Sequence, residues 1–80
     1  MMRHYCIMER SGPIFHWIYN QIFSDYCGSP RTAMKHAAQA RNIDVDFGSW
    51  SKPRRKGAAY TCYGYNREYG QWVAYEITGY

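Results

Sequence analysis

The chain has 80 residues and a net charge of +4, and aromatic side chains make up 19% of it. This length predicts a single domain, residues 1–80, that buries only about 60–65% of the surface of its unfolded chain. The aromatic content excludes a disordered chain, and the short apolar runs predict no transmembrane segment.

Two strands are predicted before residue 27. Residues 3–10 favour a strand, and residues 11–13 (Ser-Gly-Pro) are typical of a turn. The run 14–26 contains no Ala, Leu, Glu or Lys and is rich in β-branched and aromatic residues, which favours one long strand. Its apolar residues also fit helical spacing, so a helix remains the alternative for this run.

Residues 29–41 carry the clearest helix signal. Ser29 suits the N-cap, because its hydroxyl can accept a hydrogen bond from a backbone N–H of the first turn, and Pro30 suits the first helical position. Asn42 can adopt the left-handed conformation that ends a helix. Small residues dominate the apolar stripe, which predicts close packing on a sheet. The stripe consists of Ala33, Met34, Ala37, Ala38 and Ala40.

Three further strands are predicted after the helix. Apolar residues alternate with aspartates from residue 43 to residue 47, which is the pattern of a half-buried strand. Residues 48–57 are predicted to form a polar loop, and residues 58–65 and 71–77 a hairpin around the turn 66–70. The order is therefore ββαβββ. It predicts an α+β fold with a single antiparallel, bent sheet of about five strands and one α-helix packed on one face.

One helix cannot cover both faces of such a sheet. Five strands spaced about 4.8 Å apart make a sheet roughly 24 Å wide. A helix of the predicted length is about 18–20 Å long and ~10 Å across. Bulky apolar residues nevertheless alternate on both sides of the strand predicted at 14–26, where Tyr19 and Phe23 fall on the same side. Either the sheet curls on itself or it exposes an aromatic surface to a partner.

The titratable residues form no motif of a catalytic or metal site. His4 and Cys6 could supply two ligands to zinc, but no second pair of metal-ligand spacing accompanies them. The candidate acid–base groups of a small ribonuclease are His16, His36, Glu68 and Glu76. Their spacing does not support catalysis, so we predict a protein that is not an enzyme and that holds no metal and no cofactor.

The cysteine content predicts a reducing compartment. The three cysteines are odd in number and have no spacing typical of a disulfide framework, so we expect free thiols. Glu9 and Arg10 fall where a signal peptide would need an apolar segment. Together these features predict a cytoplasmic protein.

The basic residues concentrate in the segment 52–56. It contains four of the ten basic residues, and the other six balance the six acidic residues. These four are Lys52, Arg54, Arg55 and Lys56. One interpretation is a nucleic-acid-binding module, in which Trp50 and Tyr60 at the ends of the loop stack on bases. The other is a solvated loop that keeps an apolar domain soluble.

Tyrosines concentrate near the end of the chain, where six of the nine lie from Tyr60 onward. Alternation places Tyr63 and Tyr65 on one face of their strand. Tyr, Trp and Arg side chains anchor protein interfaces, although core packing and cross-strand pairs would explain the same residues. The residues predicted to bind a partner are Trp50, Lys52, Arg54, Arg55, Lys56, Tyr63, Tyr65, Arg67, Tyr69 and Trp72.

The general plan resembles the small anti-CRISPR proteins of phages and other mobile elements. The likeness rests on the Ala-rich helix 29–41 set between strands, on the Tyr-rich hairpin and on the lack of an enzymatic motif. That group shares no motif, so no functional residue is carried over, and the basic charge departs from its acidic, DNA-mimicking members.

The resemblance implies a phage-type inhibitor without catalytic activity, acting in the cytosol of a host cell. Such a protein would dock on a protein or nucleoprotein defence complex, for example a CRISPR effector complex, and block its activity. A nucleic-acid-binding module that uses the basic loop 52–56 is the alternative, and a small ribonuclease is the third. A homodimer is compatible with each of them.

Overall fold

The structure is a computed structural model that describes residues 1–13 and 16–80. Its elements are β1 (Arg3–Ser11), β2 (Ile18–Cys27), α1 (Pro30–Arg41), β3 (Ile43–Ser51), β4 (Tyr60–Asn66) and β5 (Gln71–Gly79). The predicted α+β class and the ββαβββ order are therefore confirmed.

The strands form one antiparallel sheet in the order β2-β1-β5-β4-β3. The first and last strands thus lie together in the middle of the sheet, where Ile7 pairs with Ile77 and neither side chain is exposed. The register shifts once between β1 and β2, at Ile7 and Met8, and once between β3 and β4. At such a bulge a strand bends and its twist increases.

The helix α1 begins and ends as the sequence predicts. The hydroxyl of Ser29 accepts a hydrogen bond of 3.1 Å from the backbone N–H of Thr32. Asn42 closes the helix in the left-handed conformation, with φ 56° and ψ 53°, and its N–H bonds the carbonyl of Ala38. Both caps are local devices that satisfy backbone groups left free at helix ends.

The core lies between α1 and one face of the sheet. Ala33, Met34 and Ala37 of the helix are fully buried. On the sheet, the buried hydrophobic residues are Tyr5, Ile7, Cys27, Ile43, Cys62, Val73, Tyr75 and Ile77. Ala40, which the stripe was predicted to include, is exposed. The small alanine side chains allow the helix backbone to lie close to the sheet.

Two predicted boundaries are wrong. Residues 18–26 of the run predicted as a strand do form β2, so the helix alternative is excluded for them, but β2 begins only at Ile18; residues 14 and 15 lie outside the described residues. The loop predicted from residue 48 starts at residue 52, because β3 continues to Ser51. There the hydroxyl of Ser49 accepts a hydrogen bond of 2.8 Å from the N–H of Tyr63, which replaces a ladder bond at the bulge.

Candidate binding surface

The helix α1 packs on one face of the sheet only and leaves the other face uncovered. We call the other face the open face and define it by the strand residues that alternate with the buried ones and pair with each other across the strands. It carries His4, Cys6, Met8, Arg10, Tyr19, Gln21, Ser24, Tyr26, Asp44, Asp46, Ser51, Thr61, Tyr63, Tyr65, Trp72, Ala74, Glu76 and Thr78.

Aromatic side chains on the open face are exposed to solvent. Trp72 is 62% exposed, Tyr26 55% and Tyr63 51%. Tyr65 pairs with Trp72 across the strands, and its ring meets the indole edge-on at a centroid distance of 5.7 Å. Tyr63, Tyr65 and Trp72 are neighbours at one end of the face, whereas Tyr26 lies beside His4 at the other end. The three neighbouring aromatic side chains are more than the scattered apolar exposure that is normal on a protein surface.

A cation holds a further tryptophan against this face. The guanidinium carbon of Arg10 lies 4.0 Å from the centroid of the Trp17 ring, and its Nη1 lies 3.5 Å from Oε2 of Glu76. Trp17 precedes β2 and is 42% exposed. Trp17 and Tyr19 are not among the residues predicted to bind a partner, although both belong to the run 14–26 that is rich in aromatic residues.

The predicted side assignment of β2 is wrong at one point. Phe23 pairs with Ile7 on the covered face, whereas Tyr19 pairs with Arg10 on the open face. Simple alternation puts the two aromatic residues on the same side. The register shift at Ile7 and Met8 changes the side on which every later residue of the strand points.

The charged groups of the open face make contacts within the chain: Arg10, Glu76 and Asp44 form ion pairs, and the carboxylate of Asp46 accepts a hydrogen bond from the N–H of Gly48. Glu76 lies beside Arg10, and Asp44 at the edge of the sheet accepts hydrogen bonds from the guanidinium of Arg67. Arg67, a predicted site residue, is therefore engaged within the chain. Among the described residues, the centre of the open face carries no excess of positive charge.

The basic loop lies at the other end of β4 from the 66–70 turn. Its four cations are exposed, as predicted. Lys52, Arg54 and Arg55 line a cleft of about 470 Å³. Arg55 and Lys56 also line a second cleft, of about 460 Å³, to which Arg3 of β1 contributes as well.

Trp50 and Tyr60 stand at the base of this loop and pack against each other, with ring centroids 5.5 Å apart. Trp50 also lies 5.9 Å from the Phe47 ring, and the Arg31 guanidinium is 5.1 Å from its centroid. These half-buried rings belong to the side of the sheet that α1 covers. The structure therefore separates Trp50 from the exposed tyrosines with which it was predicted to act. Tyr69 lies exposed in the β4–β5 turn.

The four candidate acid–base residues do not converge. His36 lies on α1 and contacts Asp25, with Nδ1 2.5 Å from Oδ2. Glu76 lies on the opposite side of the sheet, on the open face. Glu68 is in the β4–β5 turn, and His16 precedes β2.

The cysteines are free thiols in the structure. Burial raises the pKa of Cys62 to about 12, which makes its thiol a poor nucleophile. His4 and Cys6 share the open face as predicted, but the part of the chain that the structure describes contains no group of three or more potential metal ligands. No helix among the described residues is long and apolar enough to cross a membrane.

A buried polar cluster that no sequence pattern predicted supports the end of the core. Glu9 is 6% exposed and Asn66 4%. Asn66 Nδ2 and the Tyr75 hydroxyl each donate to Glu9 Oε2 at 3.3 Å, and Asn66 Oδ1 accepts from two N–H groups of the β4–β5 turn. Burial raises the pKa of Tyr75 to about 12. The cluster fixes the turn to the core and has the character of a structural network.

Comparisons of this chain with protein-family models, with curated proteins and with solved structures found no match.

Proposed function

We propose that this chain is a binding protein without catalytic activity. Its open face docks on a partner protein, either free or within a nucleoprotein complex. The single observation that carries the proposal is that α1 covers one face of the sheet while the other exposes large aromatic side chains, among them Tyr63 and Trp72.

The size of the open face suits a protein partner. Five strands spaced about 4.8 Å apart, with strands roughly 30 Å long, give a face of about 700 Å². A standard protein interface buries roughly 800 Å² on each partner. The open face together with the neighbouring Trp17 is therefore large enough for a specific complex.

The chemistry of the open face also favours a protein. Tyr, Trp and Arg are the side chains that most often carry binding energy at interfaces. Arg10 is held between the Trp17 ring and Glu76, so its side chain is ordered before a partner arrives. A face whose Arg10 is already paired with Glu76, and which also carries the carboxylate of Asp46, supports docking by shape and apolar contact more than attraction of a polyanion.

An inhibitory role is part of the proposal and rests on the resemblance to the small anti-CRISPR proteins. On this view, the chain blocks a host defence complex by covering one of its protein surfaces. The corresponding assay adds the purified chain to a CRISPR effector complex and measures its target cleavage or binding.

Photo-crosslinking tests the docking face. Benzoylphenylalanine is placed at Tyr63 and at Trp72, and control variants carry it at Lys35 and Gln39 on the exposed side of α1. We expect crosslinks to a partner protein from the sheet positions and none from the helix. With that partner purified, Trp72→Ala should weaken binding by about 30-fold, which corresponds to ~2 kcal/mol. Lys35→Ala should leave the affinity unchanged.

Two results would overturn the proposal. One is crosslinking from α1 rather than from the sheet. The other is crosslinking only to a second copy of the chain, together with a dimer in sedimentation, which would make the open face a homodimer interface.

A further inference from the structure

A second surface lies at the end of the sheet where β1 begins and β5 ends. We call it the basic end and define it by Arg3, Lys52, Arg54, Arg55 and Lys56. The pairing of β1 with β5 brings Arg3 beside a loop about fifty residues further along the chain, and Arg3, Arg55 and Lys56 line one cleft. Half of the ten basic residues thus gather at one end of the molecule.

The carboxylates do not cancel this charge. Within the described residues, neither cleft of the basic end is lined by an acidic side chain. Of the six carboxylates, Asp25 is bonded to His36, Glu76 lies beside Arg10, Asp44 is bonded to Arg67 and Glu9 is buried. Asp46 and Glu68 line neither cleft. Five exposed cations without counter-charges attract a polyanion.

Exposed aromatic rings flank the basic end. Tyr80 and His4 stack with ring centroids 5.7 Å apart and an angle of 22° between their planes, and Tyr26 lies against His4 at 4.6 Å. The N–H of Tyr80 bonds the carbonyl of His4 at 2.9 Å, which fixes Tyr80 beside β1. Tyr80 is 70% exposed and Tyr26 55%. His4 is next to Arg3 in the chain, and Tyr80 is next to Gly79. Arg3 and Gly79 line the same cleft, so both rings lie close to the basic end.

We propose that the basic end binds single-stranded nucleic acid. The phosphates contact Arg54, Arg55 and their neighbours, and bases stack on Tyr80 and Tyr26. A single strand is favoured over a duplex because aromatic rings can stack only on bases whose faces are free. The cations of the basic end lie outside the open face, whereas Tyr26 and His4 belong to both surfaces, at the end of the open face far from Trp72.

The experiment measures salt-dependent binding of fluorescein-labelled oligo(dT) and oligo(U) of about 12 nucleotides by fluorescence anisotropy. We expect the logarithm of affinity to fall linearly with the logarithm of salt, with a slope of about −0.7 for each phosphate contacted. The double variant Arg54→Ala/Arg55→Ala should make this slope shallower by about 1.4. The control Lys35→Ala/Arg67→Ala loses the same charge from exposed sites elsewhere and should keep the wild-type slope.

Variants of Tyr80 test the stacking of bases separately from the contacts with phosphates. Tyr80→Ala should weaken oligonucleotide binding by about ten-fold, whereas Tyr80→Phe should retain it. A blunt duplex of equal length should bind more weakly, and Tyr80→Ala should leave its binding unchanged. Trp72→Ala on the open face should not alter oligonucleotide affinity, which separates this proposal from the one above.

Three outcomes would overturn the inference. They are an unchanged slope in the Arg54/Arg55 double variant, an unchanged affinity in Tyr80→Ala, or a duplex that binds as tightly as the single strand. The last two would leave only an unspecific electrostatic surface. Melting curves of each variant verify that the chain remains folded.

Discussion

The imidazole of His36 and the carboxylate of Asp25 connect α1 to β2, with Nδ1 2.5 Å from Oδ2. This hydrogen bond is the main reason that the pKa of Asp25 lies below its usual value. A carboxyl group whose pKa is lower in the folded chain than in the unfolded chain stabilises the fold in its ionised form. Its contribution is present above the unfolded value of about 3.9 and is lost as the pH falls through the lower, folded value.

Urea unfolding of Asp25→Asn between pH 7 and pH 3 tests this contact. At pH 7 we expect a loss of less than about 1 kcal/mol in the free energy of unfolding, because the pair is partly exposed. Below about pH 4 the difference from wild type should begin to shrink, because the carboxyl group is protonated first in the unfolded wild-type chain and only at lower pH in the folded one. His36→Gln serves as the second arm of a double-mutant cycle. A difference that stays constant down to pH 3 would contradict the assignment.

The helix–sheet contact predicts that a glutamate destabilises the fold at Ala37 and has little effect at Ala40, one turn further along α1. Ala37 is fully buried and Ala40 is exposed on the same helix. Ala37→Glu should abolish folding or cost more than about 3 kcal/mol, because it places a charge without a partner between helix and sheet. Ala40→Glu is the matched control and should melt close to wild type. The check is thermal unfolding followed by circular dichroism.

A side chain at Gly64 is predicted to destabilise the fold by overpacking the core. A Cβ added there would lie 2.7 Å from Cγ2 of Ile43 and 3.2 Å from the Tyr75 ring, both buried. Gly64→Ala should therefore cost about 1–3 kcal/mol, as overpacking of a core does. Gly28→Ala, where a Cβ would meet nothing within 4 Å, is the control.

A second substitution checks the cause of this cost. If the clash with Ile43 is responsible, adding Ile43→Ala to Gly64→Ala should cost less than the sum of the two single effects. Strict additivity in urea unfolding would point to a different origin of the strain.

The features that the sequence predicted correctly depend on local chemistry. Ser29 and Asn42 cap α1 through groups within the same turn, so their roles follow from residue type and spacing. The sides of β2 could not be predicted in the same way. The shift opposite Ile7 and Met8 depends on pairing between strands, and it separates Tyr19 from Phe23.

The residues of the candidate surfaces could likewise be predicted where a local pattern places them, and could not where pairing between distant strands does. Alternation alone placed Tyr63 and Tyr65 together, and the four cations of the basic loop are contiguous in the sequence. Arg3 and Tyr80 join the basic end only because β1 pairs with β5, a contact between the two ends of the domain. No local pattern signals such a contact.

The buried polar cluster is expected to stabilise the fold. Asn66→Ala removes the donor to Glu9 and the acceptor of the turn N–H groups, and it leaves the buried carboxylate with one hydrogen bond fewer. We expect a loss of about 1–3 kcal/mol in urea unfolding. Arg67→Ala, at the adjacent exposed position, is the control and should stay within about 1 kcal/mol. Equal effects of both changes would mean that the cluster contributes little.

The final prediction separates binding from stability on the two faces of the sheet. Tyr75 is fully buried, whereas Tyr63 on the neighbouring strand is 51% exposed and Trp72 62%. Tyr75→Ala should cost about 3–5 kcal/mol, because it leaves a large cavity in the core. Tyr63→Ala and Trp72→Ala should each lower the free energy of unfolding by only about 1–2 kcal/mol, since about half or more of each residue's surface is already exposed. If Trp72→Ala instead lost several kcal/mol in urea unfolding, the indole would be a structural residue and the aromatic open face would need no partner to explain it.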